Sequence, residues 1–163
     1  MTEALVAALN GIPHWLGTMA LAATPIAELR GAIPAGIFGW EMTWWSAFIF
    51  AILGNLIPLI PLYFGLETLR KILGRIAPSL LGVLDRFIER SRKKLEKNYE
   101  KYGALGLCIF TAIPLPLTGL WSATVAAVAL KIPFRFAAPA ITLGVIIAGV
   151  IVTTLCLTGN MIF

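Results

Sequence analysis

Charge is scarce in this chain. Of its 163 residues, 13% are Asp, Glu, Lys or Arg, against roughly 25% in an average soluble protein. So few charges cannot keep the surface of a soluble domain wetted, and that class is excluded. There is one histidine, His14, with no ligand set around it, so no metal and no cofactor are expected. The two cysteines, Cys108 and Cys156, both stand in apolar runs. That excludes a disulfide framework and points to two buried, inert thiols. There is no phosphate-cradling glycine loop, no HExxH and no completable Ser/His/Asp set, so enzyme chemistry is not expected. Residues 1–27 hold Glu3 and no Lys or Arg, which leaves no positive leader region to read there.

What is abundant is apolar sequence: 59% of residues are hydrophobic and the mean hydropathy is +0.89. The expected class is an all-α integral membrane protein forming one membrane domain over 1–163. Four uncharged runs emerge at 4–27, 42–66, 102–130 and 136–163. About 20 apolar residues cross a roughly 30 Å hydrocarbon core, so a simple count gives four spans. Two of the runs resist that count. The first is punctuated by Gly11, Pro13, Gly17 and Pro25 and continues past Glu28 and Arg30 to Trp40. The third is split by Ile113-Pro114-Leu115-Pro116, with Gly119 just after. Each reads as two short arms and a break. An arm of about 11 residues rises roughly 16 Å, to the bilayer midplane, so these runs predict re-entrant hairpins at about 13–40 and 103–130. The runs Met42–Leu66 and Phe136–Thr158 read as full spans, with Pro58 and Pro61 kinking or ending the first.

The two halves, 11–66 and 102–158, align at an offset of ninety residues. Gly54 falls on Gly144, Ala47 on Ala137, and the turn Glu41-Met42-Thr43-Trp44 on Lys131-Ile132-Pro133-Phe134. Repeats with interrupted segments in corresponding places point to a transporter site. Charge tests the topology. The segment 67–101 carries ten of the thirteen basic residues, and the positive-inside rule places it in the cytoplasm. It reads as an amphipathic helical linker on anionic lipid, so its charge is no sign of a nucleic-acid partner. With both broken runs re-entrant, Lys131 and Arg135 are also cytoplasmic, Arg30 alone is basic at membrane depth, and the halves are inverted. Glu3 and Glu41 are then outside, with Trp40, Trp44 and Trp45 as an outer aromatic belt.

The stretch Phe110-Thr111-Ala112-Ile113-Pro114-Leu115-Pro116-Leu117-Thr118-Gly119, followed by Lys131-Ile132-Pro133-Phe134-Arg135-Phe136 and then Gly144, resembles the second half of the DedA (VTT-domain) superfamily. Glu28 followed by prolines is similar to the acidic hairpin of that superfamily's first half. The compact size and Glu28-Leu29-Arg30-Gly31-Ala32-Ile33-Pro34 resemble more closely the small multidrug export protein family. The resemblance covers about residues 13–158. It implies a small inner-membrane transporter with two opposed re-entrant hairpins, proton-dependent, moving an anionic lipid such as a polyprenyl-phosphate carrier. It places Glu28 at the acidic hairpin position and Arg135 at an arginine of the second-half turn. The superfamily's arginine inside the second hairpin is missing here, where the chain reads Leu115-Pro116-Leu117-Thr118; Arg30 stands in the first hairpin instead.

Glu28 and Arg30 are the leading candidate residues, because ionisable groups at membrane depth usually mark a substrate or ion path. Glu28 has the chemistry of a proton carrier, and Arg30 suits a phosphate or carboxylate headgroup. A structural ion pair between them is the competing reading. Pro34, Pro114, Pro116 and Gly119 shape the hairpin tips, where half-helix ends offer free backbone groups. Asn55 either bonds a tip or holds helices together. Thr118 is a polar candidate along the path, with Thr111, Ser122 and Thr124, and Trp121 either lines a cavity or packs. Three functions stay open. A flippase for an anionic lipid needs both Glu28 and Arg30; an exporter of cationic amphiphiles needs only the acid; an assembly or scaffold protein needs neither. Expected partners are membrane lipids, protons and a second copy of the chain, dimerising through Ala47, Ala51, Gly54, Gly144, Ala148 and Gly149.

Overall fold

The structure is a computed structural model describing residues 12–76, 99–115 and 118–159. Among these residues all regular elements are helical. In the first half, α1 (His14–Ala23) and α2 (Glu28–Pro34) are joined by a turn over 24–27, and α2 continues as one π-helical turn, Ala35–Gly39. Then come α3 (Trp44–Leu56) and α4 (Leu59–Ile76). The second half holds α5 (Tyr99–Ala112), α6 (Leu120–Ala129) and α7 (Phe134–Leu157). The expected linker over 67–101 lies largely outside the described residues; its start belongs to α4 and its end to α5.

Proline sets most of the boundaries. A residue before proline is pushed out of helical geometry. Thr24, before Pro25, is extended (φ −78°, ψ 145°) and ends α1. Ile113, before Pro114, lies just past the end of α5. Pro58 separates α3 from α4, while Pro61 sits in the first turn of α4, where a missing N–H costs little. Pro34 has no N–H to donate to the preceding turn, and the chain goes on as the wider π turn.

Two helical stretches, Trp44–Leu66 and Phe134–Leu157, are long and apolar enough to cross a membrane. α7 starts two residues before the expected span because Pro133, extended at φ −60° and ψ 144°, leads directly into it. α1 and α6 have ten residues each, a rise of about 15 Å, half the hydrocarbon thickness.

The turns that precede α3 and α7 match in detail. Glu41 (φ 51°) and Lys131 (φ 55°) are both left-handed. Thr43 and Pro133 are both extended caps, and the helices begin at Trp44 and Phe134. Each pair is ninety positions apart. The close helix approaches fall in the same register. α1 lies along α3 and α5 along α7. A Cβ on Gly54 would sit 2.7 Å from the Met19 carbonyl carbon, and one on Gly144 would sit 2.7 Å from the Cys108 oxygen and 2.6 Å from the Thr111 Cβ. The second arms pack across the halves: α2 touches α7 and α6 touches α4, while α3 crosses α7. Tyr63 on α4 donates to the Ile132 carbonyl at 2.7 Å and meets the Phe134 ring edge-on.

One expectation is corrected. Trp40 is buried, stacked on His14 with ring centres 6.1 Å apart and lying over Gly17. The left-handed residue after it reverses the chain and leaves its ring inside, so of the three tryptophans Trp44 and Trp45 are exposed and Trp40 is not. The small residues named for a dimer face pack within the chain. Ala47, Ala51 and Ala148 are buried, Gly54 and Gly144 meet α1 and α5, and Gly149 faces Phe48. Small residues admit close helices, and here the helices they admit belong to the same chain. Both cysteines are buried.

Candidate functional site

Glu28 stands where the first hairpin turns. Its backbone is left-handed at φ 46°, a strained conformation for a non-glycine residue. The Thr24 hydroxyl ties this turn, donating to the Leu21 carbonyl at 2.8 Å and accepting from the Ala27 N–H at 3.3 Å. From this turn the Glu28 carboxylate reaches the other hairpin. Its Oε1 accepts the Trp121 backbone N–H at 3.4 Å, in the first turn of α6, where free N–H groups and the helix dipole favour an anion. The carboxylate lies flush against Gly119, whose backbone (φ 145°, ψ −166°) is in a region open essentially to glycine alone.

Arg30 turns elsewhere, donating to the Ile26 carbonyl at 2.9 Å. The two charged side chains thus take different hydrogen-bond partners while bordering one cavity. That cavity, of about 20 Å³, is also lined by Asn55 from α3, Pro114, Thr118 and Gly119 from the second break, and Val145 and Ala148 from α7. Both hairpin tips and both candidate spans therefore meet at one point. Glu28 and Arg30 are the only charged residues on its walls among the described residues.

Asn55 is buried and donates Nδ2 to the Ala22 carbonyl at 3.1 Å. Ala22 is in the last turn of α1, whose carbonyls have no helical partner. The Thr118 hydroxyl holds the second break, donating to the Ile113 carbonyl or the Leu115 carbonyl (2.9 Å) and accepting from the Leu115 N–H at 3.1 Å. Thr118→Val is expected to lower the melting temperature, losing about 1–2 kcal/mol with these bonds; a thermal scan of the purified variant checks this. Thr111 and Thr124 donate to their own helices, to Leu107 and Leu120, and Ser122 to Gly119.

Other candidates fall outside the cavity lining. Pro34 is buried at the far end of α2. Arg135 lies over the Phe136 ring at the start of α7, about 15 Å along the helix from Val145. Trp121 serves through its backbone N–H. Pro116 lies outside the described residues. The sequence reading missed Val145 and Ala148 as wall residues. The ninety-residue register held a signal for the first, since Val145 is the counterpart of Asn55. No group of three or more His, Cys, Asp or Glu that would hold a metal occurs among the described residues.

The family described as "Putative small multi-drug export protein" matches residues 28–151, well over half of the chain. The chain belongs to this family. The matched segment begins at Glu28 and contains every residue on the cavity wall. No curated protein and no solved structure matches the chain. With two stretches able to span a bilayer, this member of the small multi-drug export family is a membrane protein, and its family is an export class rather than an enzyme class.

Proposed function

We propose that this protein is a proton-coupled exporter of the inner membrane, built as an inverted repeat, in which Glu28 exchanges a proton for substrate. The observation that carries the reading is the position of Glu28: among the described residues, the single carboxylate at the cavity where both helix breaks and both candidate spans meet. In this reading α1–α2 and α5–α6 are re-entrant hairpins meeting head to head at mid-membrane. Their short arms, the matching left-handed turns at Glu41 and Lys131 and the crosswise packing of α2 and α6 support it. Broken helices facing each other across such a repeat offer a site to an ion or substrate. The basic segment 67–101 is then cytoplasmic.

A cavity of about 20 Å³ admits no organic substrate. The described state is therefore closed, and loading requires the hairpin tips to separate. The contact to break is short-range: one 3.4 Å hydrogen bond from Trp121 to a carboxylate seated on Gly119. Protonation of Glu28 weakens that attachment, because a neutral carboxyl gains less from the α6 terminus. A cationic amphiphile, a kind of drug that the Glu28 carboxylate can pair with, would then exchange with the proton on Glu28. Arg30 on the same wall favours a second reading, in which an anionic lipid headgroup such as polyprenyl phosphate is held by the guanidinium.

The test uses proteoliposomes with an imposed pH gradient, one set loaded with ethidium and one carrying a fluorescent polyprenyl-phosphate analogue. Expected is gradient-driven ethidium movement that falls to background in Glu28→Gln and persists in Arg30→Ala. Analogue flipping that needs both residues would move the assignment to the lipid carrier. Folded wild type that moves neither would leave a scaffold role.

A further inference from the structure

The polar groups around the cavity do not satisfy one another. Asn55 is 2% exposed; its Nδ2 is engaged with the Ala22 carbonyl, and its Oδ1 has no partner. Flipping the amide would set two acceptors face to face at Ala22, so the carbonyl identifies the unpaired atom as Oδ1. Glu28, across the same cavity, receives one long N–H bond at 3.4 Å. Asn55 and Glu28 thus line a common space, each with an acceptor to satisfy, and acceptors cannot bond each other. An unpaired buried acceptor is rare in native proteins and usually marks an ordered water or a ligand.

The size and charge of the space select the occupant. A water needs at least about 10–15 Å³, and the cavity offers about 20 Å³, enough for one. Its walls carry the Glu28 carboxylate, the Arg30 guanidinium and, at Gly119, the positive end of α6, worth about half a charge. No net negative charge is left to hold a metal cation. An anion would meet the unpaired Oδ1 and the carboxylate, both repulsive. A neutral molecule with two donors fits.

We propose that the cavity holds one ordered water bridging Asn55 Oδ1 and the Glu28 carboxylate, and that Asn55 is through it a positioning residue for Glu28. The water donates one O–H to each acceptor. When Glu28 takes a proton from the aqueous side, its new O–H donates to the water oxygen, and the water keeps its bond to Asn55. Among the described residues the other charged group lining the cavity is Arg30, whose Nη2 donates to the Ile26 carbonyl. The inference rests on Glu28 being the working acid, and it can fail separately from the export reading.

The test is difference infrared spectroscopy on the protein in lipid bilayers, across pH. A single-water O–H band is identified by its shift in H2(18)O, and the Glu28 carboxyl band by its loss in Glu28→Gln. Two variants are compared. Asn55→Leu removes the acceptor, but it also removes the tie to Ala22. Ala148→Val leaves both polar groups intact and fills the space with two methyl groups from α7. Expected is a water band in wild type that is lost in both variants. Its loss takes a donor from the ionised acid, so the carboxyl titration moves to higher pH by at least one unit, a tenfold gain in proton affinity. Absence of the band in wild type, a wild-type titration in folded Ala148→Val, or a titration that shifts with sodium concentration would each overturn the proposal. None of these readouts requires transport. A bridged, titrating Glu28 in a protein that moves no substrate would refute the export reading and leave the water in place.

Discussion

Gly119→Ala is expected to abolish export while leaving a folded protein. Two effects converge at this residue. Its backbone angles, φ 145° and ψ −166°, belong to a region that an L side chain enters at a cost of about 1–3 kcal/mol. The new methyl group would also occupy the place of the Glu28 carboxylate. That carboxylate is the end of a flexible side chain, so it is displaced rather than crushed, and it loses the Trp121 N–H and the α6 terminus. Stability therefore falls modestly while the meeting of the two hairpins is lost. Melting temperature and proteoliposome export, measured on the same preparation, separate the two effects. A variant exporting at the wild-type rate would mean that the Glu28–Gly119 contact is not part of the working cycle.

Gly54→Ala and Gly144→Ala are expected to destabilise the fold by about 1–3 kcal/mol each, with Gly54 the more severe. At Gly54 the added Cβ meets the Met19 backbone, which cannot rotate away; at Gly144 it meets the Cys108 carbonyl and the Thr111 side chain, which gives more readily. Gly65 in α4 and Gly106 in α5 supply the controls. Nothing lies within 4 Å of a Cβ built on either, so alanine there should be neutral or stabilising by about 0.5–1 kcal/mol, the usual gain over glycine in a helix. Thermal unfolding in one lipid or detergent system ranks all four. Equal losses at Gly54 and Gly65 would show that helix propensity, rather than the α1–α3 approach, governs the result.

The hairpin breaks were legible because their causes are local. Thr24-Pro25 and Ile113-Pro114 interrupt helices through the sterics of the proline ring, whatever surrounds them. Glu28 and Arg30 were conspicuous for the same kind of reason, as charges in a stretch otherwise without them. The ninety-residue register was visible in few identities, and the matching left-handed turns at Glu41 and Lys131 give it a backbone counterpart. Less legible was which surfaces the small residues serve. Alanine and glycine on an apolar helix mark a close approach without naming the partner, and Ala47, Gly54 and Gly144 proved to face their own chain. Trp40 carries the composition of an interfacial residue, yet the turn after it leaves the ring buried against His14.

The sequence by itself determined the solvent, the element types and the presence of a charged pair in an apolar surround. Hydropathy, proline placement and charge counting act over a few residues at a time, so they can be read along the chain. Only the tertiary structure decided what the charged pair does. It separated Glu28 from Arg30 in their bonding and set the carboxylate on the α6 terminus beside a glycine that has to be one. It joined Asn55, on the cavity wall, to Ala22, thirty-three positions back, and left its Oδ1 buried without a partner. These contacts connect residues up to 93 positions apart, and they depend on how the helices cross, which no local pattern encodes.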